Sequence, residues 1–295
     1  MKKNLLFAVC AICIVCILCT IVSSASSSFA PVENKFTNMS AIYPESGELP
    51  LDNIKTDGGY TSIFRTIACI GDSLSSGEFE STSEGATGYH DMYEYSWGQF
   101  MARACGSTVY NFSKGGMNAQ AYCEYFAEQN GYWDEKYASQ AYIIALGVND
   151  IGYSSDLGST DDVDLTNWKN NTKNFAGFYA QIIQRYKEIQ PDAKFFLLTL
   201  PKGENDRNSN LHHRQLMYDF SEIFDNTYVI DLMQYGPIYD SEFQEIYFMG
   251  SHMNPMGYQL TANMVSSYID YIIRHNPDDF KEVPFIGTGL DGNIG

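Results

Sequence analysis

The sequence predicts an α/β fold: a three-layer α/β/α, flavodoxin-like sandwich around a mainly parallel five-stranded sheet. Three observations lead there. Five short runs rich in β-branched and aromatic residues alternate with segments of helical period, the pattern of βαβ units and of a parallel sheet covered on both faces. Hydrophobic residues make up 44% of the chain and charged residues only 18%, a balance that supports a packed core and argues against disorder. A chain of 295 residues is long enough for one substantial core, so a single α/β domain is the economical reading.

Taken in order, residues 1–30 have the pattern of an export signal or an N-terminal membrane anchor. Lys2 and Lys3 precede an uncharged stretch from Leu5 to Val22, and the residues from Ser23 to Ala30 are small and polar apart from Phe29. The apolar stretch approaches the length of a membrane-spanning helix, and Ala25 and Ala30 are candidate cleavage positions. With lysines on its N-terminal side, either version leaves the rest of the chain extracellular or at the cell surface. Cys10, Cys13, Cys16 and Cys19 each follow a bulky residue, which does not fit lipidation. Residues 31–62, rich in Asn, Ser, Glu, Gly and Pro, read as a linker or peripheral arm.

The main domain is expected over residues 63–276, with a C-terminal tail at 277–295. Its strands are expected at Phe64 to Ile70, Ser107 to Phe112, Gln140 to Leu146, Lys194 to Leu200 and Thr227 to Leu232. In Trp168 to Gln190, Phe175, Phe178, Tyr179, Ile182, Tyr186 and Ile189 recur at helical spacing until Pro191 ends the run. A last helix from about Pro255 aligns Tyr258, Ala262, Val265, Tyr268, Ile269 and Ile272, a core stripe like the first.

Charge narrows the partners. The net charge of −18 becomes −20 without Lys2 and Lys3, and so acidic a surface repels nucleic acid and anionic lipid while favouring neutral or cationic ligands. Membrane contact is expected only through an uncleaved N-terminal segment. Cys69, Cys105 and Cys123 have no metal-ligand spacing, and their odd number argues against a disulfide framework. No metal or organic cofactor is expected.

In open parallel sheets ligands bind beyond the C-terminal strand ends, so the chemistry should lie in the residues after each strand. The first strand is followed by Gly71-Asp72-Ser73-Leu74, the second by Asn111-Phe112-Ser113-Lys114-Gly115-Gly116, the third by Gly147-Val148-Asn149-Asp150; His252 precedes Asn254-Pro255-Met256-Gly257-Tyr258. Singly each has a structural alternative: Ser73 could cap a helix, Gly116 could be a turn residue, and Asn149 or His252 could satisfy loop backbone.

In this order the four blocks resemble those of the SGNH, or GDSL, hydrolase family, over residues 64 to about 273. The resemblance implies Ser73 as nucleophile and His252 as general base, with an oxyanion hole made of the Ser73 N–H, the Gly116 N–H and the Asn149 side chain. Gly116 is preferred to Gly115 because it lies five residues after Asn111. Charge builds on the ester oxygen during attack, and a prearranged donor there is worth about 10²–10³-fold in rate.

One position departs from the family. An aspartate commonly stands three residues before the histidine and orients it, whereas this chain has Met249. The candidates for the orienting role are a backbone carbonyl of Met249 or Gly250, a carboxylate from Asp240, Glu242 or Glu245, and Asp231; the carbonyl is preferred, and Asp72 is less suitable. A second departure is the insertion from Phe79 to Tyr95, which by connectivity should lie over or beside Ser73 and shape the acyl or alcohol pocket, or simply pack as a loop.

Other groups carry less. His212 and His213 are adjacent in a helical run and point to different faces, His90 has no partner at ligand spacing, and Asp156, Asp161, Asp162 and Asp164 lack a calcium-loop pattern. The expectation is an exported serine esterase that removes a small acyl group, from a carbohydrate in preference to a lipid. Its alternatives are an acyltransferase and a surface binding protein that has kept the fold with weak catalysis. The oligomeric state is not legible.

Overall fold

The computed structural model describes residues 44, 46–83, 85, 87–153, 156–204 and 208–292. The expected leader lies outside them. Among the described residues no helix is long and apolar enough to cross a membrane.

Five strands form the central sheet: β1 (Thr66–Gly71), β4 (Thr108–Ser113), β5 (Ala141–Ala145), β6 (Lys194–Leu198) and β7 (Thr227–Ile230). Between β1 and β4 lie two short strands, β2 (Glu78–Ser81) and β3 (Gly88–Asp91), which pair with each other as an antiparallel hairpin. The central order is β4-β1-β5-β6-β7 and every pairing in it is parallel. Counting only these five strands, the order is the flavodoxin-like one, whose crevice opens beside the first strand, where successive connections leave in opposite directions.

Residues alternate between the two faces as a doubly covered sheet requires. On one side Ala68, Ile70, Tyr142, Ile144, Phe195 and Leu197 meet the helices Phe175–Ile189 and Asn208–Ile223. On the other, Ile67, Cys69, Ile143 and Phe196 meet the helices Trp97–Cys105 and Pro255–His275. The helical run expected from Trp168 begins only at Phe175. Asn174 caps it by accepting from the Gly177 N–H at 2.9 Å, and the Asn171 side chain reaches the Gly177 carbonyl at 3.0 Å. Such local side-chain bonds compete with helix, and they hold residues 168–170 as a separate 3₁₀ turn. Cys69, Cys105 and Cys123 are free and buried.

The folded body extends past both expected boundaries. Residues 48–62 run along the last helix: the Lys55 N–H donates to Ser267 Oγ at 2.6 Å, and buried Thr61 donates to the Ser266 carbonyl at 2.8 Å. After that helix, Phe280, Val283 and Ile286 are buried against the same core, where the segment 277–295 had been expected to be a tail. Apolar side chains spaced three apart (280, 283, 286) supply the burial that fixes it. At the opposite end of the sheet, β8 (Phe248–Met249) and β9 (His252–Met253) make a tight hairpin just before the last helix.

Candidate active site

Ser73 follows β1 directly, as the first residue of a one-turn helix, Ser73–Ser76. Asp72 caps that turn, its Oδ1 accepting from the Leu74 N–H at 3.0 Å. Ser75 Oγ accepts from Trp97 Nε1 at 3.2 Å, tying the turn to the core. Tyr258 donates to the Glu78 carbonyl at 2.8 Å and to the Ser73 carbonyl at 3.3 Å. The turn is thus held on both sides while Ser73 stays half-buried, and among the described residues its hydroxyl has no hydrogen-bond partner. Asp72 itself is buried, one oxygen lacks a partner among the described residues, and burial pushes its carboxyl up to about 7.

The loop after β4 turns at Lys114–Met117, closed by the Met117 N–H to the Lys114 carbonyl at 3.2 Å. Gly116 sits at its outer corner with φ +73, a left-handed conformation that glycine adopts at little cost, and a Cβ there would meet only open space. Asn149 holds the loop from the next strand end, its Nδ2 donating to the Met117 carbonyl at 2.9 Å and leaving its second N–H available. Asp150 accepts from the Ala119 N–H at 3.0 Å; burial pushes its carboxyl up to about 6.

His252 stands opposite Met249 in the β8–β9 hairpin. Its imidazole lies between two carboxylates of the inserted hairpin: Nε2 is 3.0 Å from Glu78 Oε1, and Nδ1 is 3.5 Å from Glu80 Oε1. Nδ1 also lies 3.1 Å from Ser251 Oγ. Ser251 in turn donates to Glu80 Oε1 through its N–H at 2.6 Å and through its hydroxyl. The Tyr89 ring stands edge-on to the imidazole, with centroids 5.6 Å apart. The period of two on a strand explains the cluster: Glu78 and Glu80 share one face, Asp91 and Tyr89 are their cross-strand partners, and Phe79 turns the other way to pack on Tyr258 and Tyr95.

The same hairpin reaches the other loops. Asp91 Oδ1 accepts from Ser76 Oγ and from the Gly115 N–H at 3.3 Å. The Glu78 carboxylate lies against Gly115, where a Cβ would fall 1.8 Å from its Oε2. Burial pushes the Glu78 carboxyl above its ordinary value, opposed by the nearby imidazole, whereas hydrogen bonds from Ser251 pull the Glu80 carboxyl below its own. The Ser73–Ser76 turn and β9 are in contact, so nucleophile loop, glycine loop and histidine hairpin meet at one end of the sheet.

The groups expected to orient His252 lie elsewhere. Among the described residues no carbonyl of Met249 or Gly250 accepts from the imidazole, and Met249 is 44% exposed. Asp231 is buried and engaged by Arg214 Nε at 2.7 Å, Tyr218 at 2.7 Å and the Gln234 N–H at 3.0 Å, because it caps the turn after β7. Asp240 caps the helix Ser241–Tyr247 through the Phe243 N–H, and Glu242 and Glu245 are exposed on that helix. The carboxylates that stand beside the imidazole are those of Glu78 and Glu80, on one face of the strand directly after the nucleophile loop.

The remaining candidates separate. His213 is buried with Nε2 2.9 Å from the Leu146 carbonyl, and burial pushes its pKa down to about 4. His90 is exposed. Among the described residues no group of three or more His, Cys, Asp or Glu is placed to hold a metal ion.

Two cavities flank the site. A small apolar one, about 50 Å³, is lined by Leu74, Val148 and Met253, each next in sequence to a candidate site residue, with Leu200, Pro201 and Tyr239. A larger one, about 440 Å³, lies past the glycine loop among Asn118, Gln120, Asp150, Asn174, Phe175 and Phe178.

Residues 69–260 match the GDSL-like Lipase/Acylhydrolase family. Among solved structures, a family two carbohydrate esterase from Clostridium thermocellum in complex with cellohexaose is similar, with 18% identity and a TM-score of 0.52, over 73% of this chain and 65% of that one. An active-site mutant of a family two carbohydrate esterase from the same organism aligns with 18% identity and a TM-score of 0.51, over 70% of this chain and 63% of that one. The chain therefore spans a little under two thirds of these two esterases, and the likeness is one of fold. No curated protein matches the chain in sequence.

Proposed function

The chain belongs to the GDSL-like lipase/acylhydrolase family of ester-bond hydrolases, and from that premise we propose an exported serine esterase that removes a small acyl group from a carbohydrate. The observation that supports this reading is the meeting of the Ser73 turn, the Gly116 loop braced by Asn149, and the His252 hairpin at one sheet edge.

Ser73 Oγ attacks the ester carbonyl carbon and His252 Nε2 takes its proton. The resulting oxyanion accepts from the N–H groups of Ser73 and Gly116 and from the free N–H of Asn149. His252 then protonates the departing alcohol. A water attacks the acyl-serine with His252 again as base, releasing the acid and restoring the serine. His252 Nε2 lies 3.0 Å from Glu78 Oε1, so the proton transfer from Ser73 requires Glu78 to give up that contact.

The small acyl group is supported by the apolar cavity, whose 50 Å³ or so holds only a group of about one or two water volumes. The carbohydrate is supported by the larger cavity, where amide and charged side chains stand beside two phenylalanines, and by the acidic, tyrosine-rich composition. Export rests on the pattern of Lys2, Lys3 and Leu5 to Val22.

A panel of p-nitrophenyl esters of rising acyl length, with acetylated xylan and chitin-derived oligomers, tests the reading. Acetyl is expected to be fastest, and Ser73→Ala to lose at least about 10³-fold in kcat. Wild-type activity that survives in Ser73→Ala overturns it.

A further inference from the structure

We infer that Glu80 is the positioning residue for His252, a carboxylate brought from the inserted β2–β3 hairpin to the task that an acid at position 249 would otherwise perform. This rests on the reading of Ser73 and His252 given above.

Three contacts converge on Glu80. Its Oε1 lies 3.5 Å from His252 Nδ1, and it accepts from both the N–H and the hydroxyl of Ser251. Because the Ser251 hydroxyl spends its proton on Glu80, its oxygen faces Nδ1, 3.1 Å away, as an acceptor. Glu80 thus holds the Nδ1 proton both directly and through Ser251, which leaves Nε2, once released from its contact with Glu78, as the nitrogen that can act as base. A carboxylate there also stabilises the imidazolium formed when Ser73 gives up its proton.

The hairpin that carries His252 is shaped around this carboxylate. Gly250 has φ +72, and a Cβ on it would lie 2.0 Å from Glu80 Oε2. A side chain at position 250 would expel Glu80. Met249 lies directly opposite His252 in the ladder, so their side chains leave the same face with Cβ atoms about 5 Å apart. Position 249 could therefore hold an orienting acid, and its occupation by methionine leaves the imidazole to Glu80. Glu78 does not fill the same role, because it contacts Nε2, the nitrogen that must serve the serine.

Steady-state kinetics on p-nitrophenyl acetate with the full chain tests the assignment. Glu80→Ala and Glu80→Gln are each expected to lower kcat by about 10²–10⁴-fold with KM nearly unchanged; Gln keeps an acceptor for the Ser251 N–H but lacks the charge. Ser251→Ala should cost less, about tenfold, since the direct contact persists. Met249→Asp in the Glu80→Ala background should recover at least about tenfold, which a merely structural role for Glu80 would not allow. Glu245→Gln should behave as wild type. Retention by Glu80→Gln of kcat within about threefold of wild type overturns the assignment. Should Ser73→Ala retain wild-type activity, the serine reading fails and the assignment falls with it, a result obtained without touching Glu80.

Discussion

Two basic side chains in this molecule are each held between two carboxylates, and the two sites do opposite things. Arg274, on the last helix, donates to Glu48 through Nη1 at 2.8 Å and Nη2 at 2.6 Å, and to Asp270 through Nε at 2.9 Å. All three side chains are 3% exposed or less. His252, between Glu78 and Glu80, is 13% exposed, and its carboxylates 12% and 18%. Arginine keeps its charge at every relevant pH, so its site is a permanent clamp, and the guanidinium holds the Glu48 carboxyl down to about 2. Histidine can lose its charge, and the carboxyl against its Nε2 is displaced upward. The same composition makes a permanent tie when the cation is fixed and enclosed, and a group able to take up and release a proton when it stands more open at the end of the sheet.

Breaking the clamp should produce the largest stability effect. Glu48→Ala removes two charge-assisted hydrogen bonds from a buried arginine and should cost about 3 kcal/mol in urea unfolding. At temperatures where the variant is folded, kcat should be unchanged, which separates the clamp from the catalytic edge.

Asp72 tests the edge itself. Its carboxyl is raised from an ordinary 3.8 to about 7, so the folded state holds a proton that the unfolded state releases between those values. Its ionisation therefore opposes folding: stability is full below pH 3.8 and declines as pH rises through 7. Asp72→Asn keeps an acceptor for the Leu74 N–H and removes the charge. It should stabilise by on the order of 2 kcal/mol at pH 8, with no gain at pH 3.5, in urea titrations at the two pH values.

The smallest effect should come from Glu78. A negative charge against Gly115 and Nε2 competes with the developing oxyanion and detains the base. Glu78→Gln should raise kcat/KM by about two- to fivefold, measured below KM on p-nitrophenyl acetate. A large loss instead would place Glu78, and not Glu80, in the histidine's service.

What the sequence reveals divides along the same line as these two sites. The five strands were legible because apolar runs mark them locally, and Ser73, Gly116, Asn149 and His252 could be singled out because each carries its own short motif; the structure brings their loops to one end of the sheet. The acid against His252 was not. Glu80 and Ser251 are 171 residues apart, and nothing near either one announces the other. The same holds for Glu48 and Arg274, 226 residues apart, which is why residues 48–62 read as a linker or arm. The segment from Phe79 reads in the sequence only as an insertion; in the structure it starts within a strand whose period of two puts Glu78 and Glu80 on one face, and the paired register with β3 accompanies that face toward His252. The leader pattern falls on residues that the structure does not describe.

Mass spectrometry after treatment with a fluorophosphonate tests the central claim most directly, because the reagent needs an activated serine and no knowledge of the natural ester. A single adduct on the peptide containing Ser73, absent from Ser73→Ala and strongly slowed in His252→Ala, is the predicted result. Wild-type protein that takes no label, or a label that persists in Ser73→Ala, would contradict it.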